Sequence, residues 1–268
     1  MKYLRHLLTG TCLLIVSHCV AAAASGTEAG VYIGLFGGVG SSSSTGLQQR
    51  GEVYLNPPHS FPTLPIDAEG PMNSNQGIPV VGAHIGYEWN QWDIAPGWGL
   101  RPAIEVEGLY IGEHSPFGVM PVDPEFLGTQ YVSVPMTTGV VLSNAVLILK
   151  TPYTDKLFPY LGFGAGAAFV SIDGSNSTNP SEPGINHFNS APDASDRAFA
   201  LQLKAGIKAE VYRHTYLFLE YRYLSVDPTS YCFGSTDYPG VHLPTTTWDV
   251  NLGRLEYNLF TVGLQYKF

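Results

Sequence analysis

Glu105 and Glu107 stand two residues apart, and a pair of carboxylates is what glycoside hydrolysis uses. On an extended strand the two share a face at roughly 7 Å, a separation that suits such a pair. His84 and Glu88 are four residues apart, a spacing that lets a helix bring both to one metal ion. On a strand the same spacing holds them roughly 13 Å apart and excludes a shared ion. Gly162, Gly164 and Gly166 imitate a phosphate-binding loop, which needs a helix to follow it. Each of these chemistries depends on the local backbone, so the periodicity of the chain decides among them.

That periodicity is two. In the last stretch, Arg254 to Phe268, the residues Phe260, Val262, Leu264, Tyr266 and Phe268 alternate with Leu259, Thr261, Gly263, Gln265 and Lys267. Residues 199 to 211 are the cleanest case: Phe199, Leu201, Leu203, Ala205, Ile207, Ala209 and Val211 against Ala200, Gln202, Lys204, Gly206, Lys208 and Glu210. Between 78 and 89 one face carries Val81, Ala83, Ile85, Tyr87 and Trp89, the other Val80, Gly82, His84, Gly86 and Glu88. From Leu100 to Tyr110 the charged face holds Arg101, Glu105 and Glu107, and from Leu217 to Leu224 it holds Glu220 and Arg222. Further strands are read at 31 to 40, 131 to 150 and 159 to 170. The register of the 131 to 150 strand stays open; if Asn144 points inward, so do Leu142 and Val146, and apolar side chains share the interior. The three glycines fall inside an alternating strand with no helix after it, so the nucleotide reading fails. No metal and no cofactor is expected.

Composition narrows the setting. Residues are 44% hydrophobic, 12% aromatic and only 13% charged, against about 25% charged in an average soluble domain. The single long apolar run lies at the start: Lys2, Arg5 and His6 precede an apolar core from Leu7 to Val20 and then small residues. This is the layout of a secretory signal peptide over residues 1–24, cleaved after Ala24, with a mature chain of 25–268. Its loss leaves 11 Lys and Arg against 22 Asp and Glu, an acidic balance unsuited to nucleic acid. Cys12 and Cys19 leave with it, so Cys232 has no partner for an intramolecular disulfide and reads as a plain loop residue.

Eight strands joined by connections that alternate long and short, with apolar faces that nothing later in the chain can cover, describe an all-β, eight-stranded antiparallel transmembrane β-barrel with four long outer loops. A soluble eight-stranded barrel places charges outside; here the charged set is the minority face, accompanied by Gly and Ala that suit a cramped interior. The inward ionisable residues besides His84 are Glu88, Arg101, Glu105, Glu107, Lys204, Lys208, Glu210, Glu220, Arg222 and Lys267, five acids and five bases. Unpaired buried charge is costly, so a mutually paired network that plugs the barrel is expected. Glu105 and Glu107 then read as ion-pair partners rather than as a hydrolytic pair. The alternative is a narrow, low-conductance pore. The outer loops, including residues 41 to 76 with Pro57, Pro58, Pro62, Pro65 and Pro71, carry an excess of acids and no regular pattern.

The segments PYLGFGAGAAF (Pro159 to Phe169), LEYRYL (Leu219 to Leu224) and VGLQYKF (Val262 to Phe268) resemble the small OmpA-like and opacity-protein-like outer-membrane β-barrels. The resemblance implies a monomer in the bacterial outer membrane, surrounded by lipid and lipopolysaccharide. It also implies insertion by the outer-membrane assembly machinery, for which Leu264, Tyr266 and Phe268 match the terminal-strand signal. Nothing follows Phe268, so no periplasmic peptidoglycan-binding domain is expected. Some barrels of this shape are lipid A enzymes with a lipid-facing His; no strand here offers one, and a non-enzymatic role is expected. That role is structural and surface-interacting, adhesin or antigen-like, with host or matrix molecules as partners of the loops.

Overall fold

The computed structural model describes residues 29–57, 61–74 and 76–268; the signal peptide expected over residues 1–24 lies outside them. Eight long strands form the barrel: β1 (Gly30–Ser42), β4 (Ile78–Glu88), β6 (Trp98–His114), β9 (Met136–Lys150), β10 (Leu157–Ile172), β12 (Ala194–Tyr212), β13 (Thr215–Val226) and β16 (Leu255–Lys267). Each pairs antiparallel with the next, β16 returns to β1, and β4 pairs with both β1 and β6, which closes the cylinder. Closure leaves no open edge at membrane depth, the condition for crossing a bilayer with strands.

Side chains alternate along these staves, with register shifts between Ile111 and His114 in β6 and between Glu210 and Tyr212 in β12. In β16 the odd residues Leu255 to Lys267 face inward, while Phe260, Val262, Leu264 and Tyr266 face lipid. In β9 the inward set includes Leu142, Asn144 and Val146, so the lumen does hold apolar side chains beside polar ones. Small residues make the room. The Lys204 side chain lies directly over Gly162, where an added Cβ would come within 2.8 Å of its Cγ. The Tyr32 ring likewise lies over Gly86.

The outer connections differ from the sequence reading. Residues 41 to 76 are not a structureless loop: β2 (Thr45–Tyr54) and β3 (Thr63–Asn73) form a hairpin. With β7 (Phe117–Asp123), β8 (Thr129–Ser133), β11 (Asn176–Thr178), β14 (Thr229–Phe233) and β15 (Trp248–Leu252) they build a second, seven-stranded sheet in the order β11-β8-β7-β3-β2-β15-β14. The strand read as 131 to 150 is two elements, β8 and β9, divided at Val134 and Pro135. Cys232 sits exposed on β14 rather than in a loop. The short connection after β4 also carries a strand, β5 (Trp92–Ala95), paired with the start of β6.

The staves run 11 to 19 residues, beyond the roughly 9–11 that span the apolar band, so their outer ends continue into the cap. One buried apolar cluster follows them, from Phe36, Leu109 and Leu142 in the barrel through Tyr257 to Leu47, Met72, Met120, Phe188 and Trp248 in the cap. Barrel and cap therefore share a core. Leu203 stands mid-stave with its side chain toward lipid. Leu203→Arg is expected to cost about 2–4 kcal/mol of folding free energy in lipid vesicles, measured by urea titration, because charge on the lipid face near the midplane is penalised by that amount.

Candidate functional site

Two regions gather polar chemistry: the barrel lumen and a cavity in the cap. In the lumen every stave contributes. Glu88, from the inner end of β4, is fully buried and accepts from Arg101 Nη1 at 3.0 Å, Lys208 Nζ at 2.9 Å and Lys267 Nζ at 3.0 Å. One turn of side chains outward, Lys204 pairs with Glu105, with Glu107 at 3.2 Å and with Glu220 at 3.8 Å. Arg222, also fully buried, pairs with Glu107 and Glu220.

Neutral donors complete the carboxylates. Tyr32 OH donates to Glu105 at 3.0 Å, Asn144 Nδ2 to Glu105 at 3.1 Å, Gln202 Nε2 to Glu107 at 3.0 Å and Tyr160 OH to Glu220 at 2.8 Å. Aromatic faces take part of the positive charge: the Arg222 guanidinium carbon lies 3.9 Å from the Phe36 ring centre, and that of Arg101 lies 4.4 Å from Phe158. The His84 ring is enclosed by Tyr32, Phe36 and Phe218.

Nine of the ten residues expected in the network meet in this way. Glu210 does not. It sits where the β12–β13 register shifts between Glu210 and Tyr212, only partly buried, and accepts from the His214 backbone N–H at 3.3 Å. Without it the two clusters are unequal: one acid to three bases around Glu88, three acids to two bases around Lys204. The space left among these side chains is a cavity of about 20 Å³, enough for a single water molecule. Leu264, Tyr266 and Phe268 face lipid on the last stave, with Tyr266 and Phe268 edge to face at 5.0 Å.

The cap cavity is far larger, about 460 Å³, within the range of small-molecule sites. Val53, Leu64, Ile66, Phe126 and Trp248 supply apolar walls, and Gln49, Gln130, Glu182, His187 and His242 supply polar groups. Glu182 Oε2 lies 3.2 Å from His187 Nε2, and Glu182 Oε1 lies 3.4 Å from His242 Nε2. Burial pushes the His187 imidazole below its ordinary pKa, against the opposite pull of its contact with the Ser177 carbonyl and of Glu182. None of these three stood out in the sequence. Glu182 and His187 fall in a Pro- and Asn-rich connection, and His242 lies in a different one. Glu182 enters the sequence reading only as one of several loop acids, with no strand parity to order it.

A partner removed from a closed buried network leaves uncompensated charge. Glu107→Ala, which strips Lys204 and Arg222 of a common acceptor, is expected to lower unfolding free energy by about 3–5 kcal/mol in urea titrations of the refolded barrel. Glu210→Ala at the barrel's inner rim is expected to stay within about 0.5 kcal/mol of the parent.

No curated protein matches the chain in sequence. Among solved structures, Neisserial surface protein A is 14% identical over 90% of this chain and 99% of that one, with a TM-score of 0.38. The outer membrane protein OprG from Pseudomonas aeruginosa is 15% identical over 91% and 98%, with a TM-score of 0.41. The outer membrane protease OmpT from Escherichia coli is 8% identical over 92% and 99%, with a TM-score of 0.35. The family described as the outer membrane protein beta-barrel domain matches residues 10–268. A match of that extent, on a chain whose eight antiparallel staves close into a cylinder, makes this protein a member of the outer-membrane β-barrel domain family, seated in the bacterial outer membrane.

Proposed function

We propose that the protein is a non-enzymatic surface-recognition barrel, in which a plugged transmembrane cylinder holds a folded outer cap toward partners outside the cell. The observation that carries this reading is the contrast between two cavities: the one among the paired lumen side chains is about 20 Å³, the one in the cap about 460 Å³. Glu105 and Glu107, whose spacing suits glycoside hydrolysis, are 4% and 0% exposed and are held by Lys204, so no sugar reaches them. A narrow porin needs a continuous aqueous path, and the paired lumen side chains occupy it.

The cap has the qualities of a binding module. Its strands share a core with the barrel, so its surface is held in one shape and recognition needs little ordering of loops. Its outer face carries Glu52, Glu69, Glu113, Asp123, Glu125, Asp193 and Asp237, with Arg50 paired to Asp67 at 2.9 Å and Arg254 to Asp227 at 3.1 Å. Excess acid favours basic patches on host or matrix proteins, with lipopolysaccharide as the lateral neighbour. Leu264, Tyr266 and Phe268 serve, in this reading, as the signal to the assembly machinery, and the barrel acts as a monomer.

Replacing the β2–β3 hairpin by a short Gly-Ser turn removes the centre of the cap sheet and leaves the eight staves. Bacteria displaying the intact protein are expected to adhere to surfaces coated with basic matrix proteins, and those displaying the trimmed barrel to lose that adhesion while its band still shifts on heating in gels. Equal adhesion by both would sink the proposal.

A further inference from the structure

We propose that Glu182, His187 and His242 form a binding site for a divalent transition-metal ion of the zinc class, at the wall of the cap cavity. The inference does not depend on which macromolecule the cap meets. Three potential ligand atoms, one from each residue, lie within 4.8 Å of one another. Ligands bound tetrahedrally to one ion at about 2.0–2.2 Å stand ~3.3–3.5 Å apart. The two contacts of Glu182, at 3.2 Å to His187 Nε2 and 3.4 Å to His242 Nε2, already have nearly that spacing.

The rings are also oriented for it. The Ser177 carbonyl lies 2.9 Å from His187 Nδ1 and accepts from the His187 backbone N–H at 2.8 Å, which fixes ring and backbone together. The Leu243 carbonyl takes His242 Nδ1 at 2.5 Å, and the His242 backbone N–H donates to Tyr238 O at 3.0 Å. A carbonyl can only accept, so each of these carbonyls can hold the Nδ1–H tautomer that leaves Nε2 free to bind an ion. Gln130 Nε2 also lies 2.8 Å from His187 Nδ1 and donates to Ser177 Oγ at 2.6 Å.

In that tautomer both Nε2 lone pairs converge with the Glu182 carboxylate, and a cation would sit between them. Metal-bound histidines commonly have this support, the far ring nitrogen donating to a carbonyl. Two nitrogens and one carboxylate suit zinc and its first-row neighbours rather than calcium or magnesium. His187 and His242 side chains are 8% and 10% exposed and that of Glu182 is 41% exposed, so an ion can enter from outside. Because all three residues line the cavity, the coordination positions they leave open face it.

The test uses tag-free, full-length mature protein refolded in detergent and stripped with chelator. Titration with Zn²⁺ alone is followed by calorimetry, and Co²⁺ is followed by its visible absorption and by quenching of Trp248, whose ring centre is 5.9 Å from that of His187. One equivalent of Zn²⁺ is expected, with an intense Co²⁺ band of four-coordinate type. Since losing even a group that only orients a ligand weakens metal affinity 10- to 100-fold, His242→Ala and Glu182→Gln are each expected to weaken it by at least about tenfold. Glu182 is half-exposed, so its variant keeps the test open if the histidine variant misfolds; heat-modifiable gel mobility reports folding of both. Absence of saturable Zn²⁺ uptake, or uptake unchanged in the two variants, would overturn the proposal and leave the trio as hydrogen-bonded side chains only.

Discussion

The structure depends on one constraint: eight staves that give their apolar faces to lipid must send every other side chain into a narrow, crowded cylinder. Charges placed there have little solvent to turn to and are neutralised largely by one another. Glu88 answers three cations from three staves, and Lys204 answers three carboxylates from two, Glu105 and Glu107 on β6 and Glu220 on β13. Such contacts do more than fill space. They tie the closing stave, through Lys267, to β4 and so fix which strands are neighbours across the lumen.

The lumen changes character along its length. Toward the short turns it is ionic and aromatic, with Tyr32, Phe158, Tyr160 and Tyr216 around the charges. Toward the cap it becomes aliphatic, and that apolar core runs without a break into the second sheet. Staves longer than the bilayer thus serve as the foundation of the cap. A barrel built this way has its rigid, accessible chemistry outside the membrane, where a 460 Å³ cavity lies beside two histidines and a carboxylate.

The barrel was legible because membrane staves obey a period of two with opposite chemistries on their two faces, and the parity of Lys204, Lys208, Glu105 and Glu107 placed them correctly. Glu210 shows the limit of parity. It shares the inward register, but it sits at a strand end where a bulge re-aims the backbone and water is available. The cap was not legible for a different reason. Prolines at 65 and 71 broke the strand pattern, yet β3 pairs with β7 only at Asp67, Ala68, Met72 and Asn73, so both prolines stand where that ladder is absent. Gln49 and Gln130 point inward in the cap and remove the polar-out signal that marks a strand. Glu182, His187 and His242 come together only through tertiary folding of two connections, and no spacing in the sequence encodes that.

In the proposed reading the cylinder is closed by its own side chains and recognition lies in the cap. Single-channel recording of the refolded mature protein in planar bilayers tests it most directly. The paired lumen predicts a flat trace with no unitary steps above the bare bilayer; stable, ohmic openings carried by the folded barrel would contradict it.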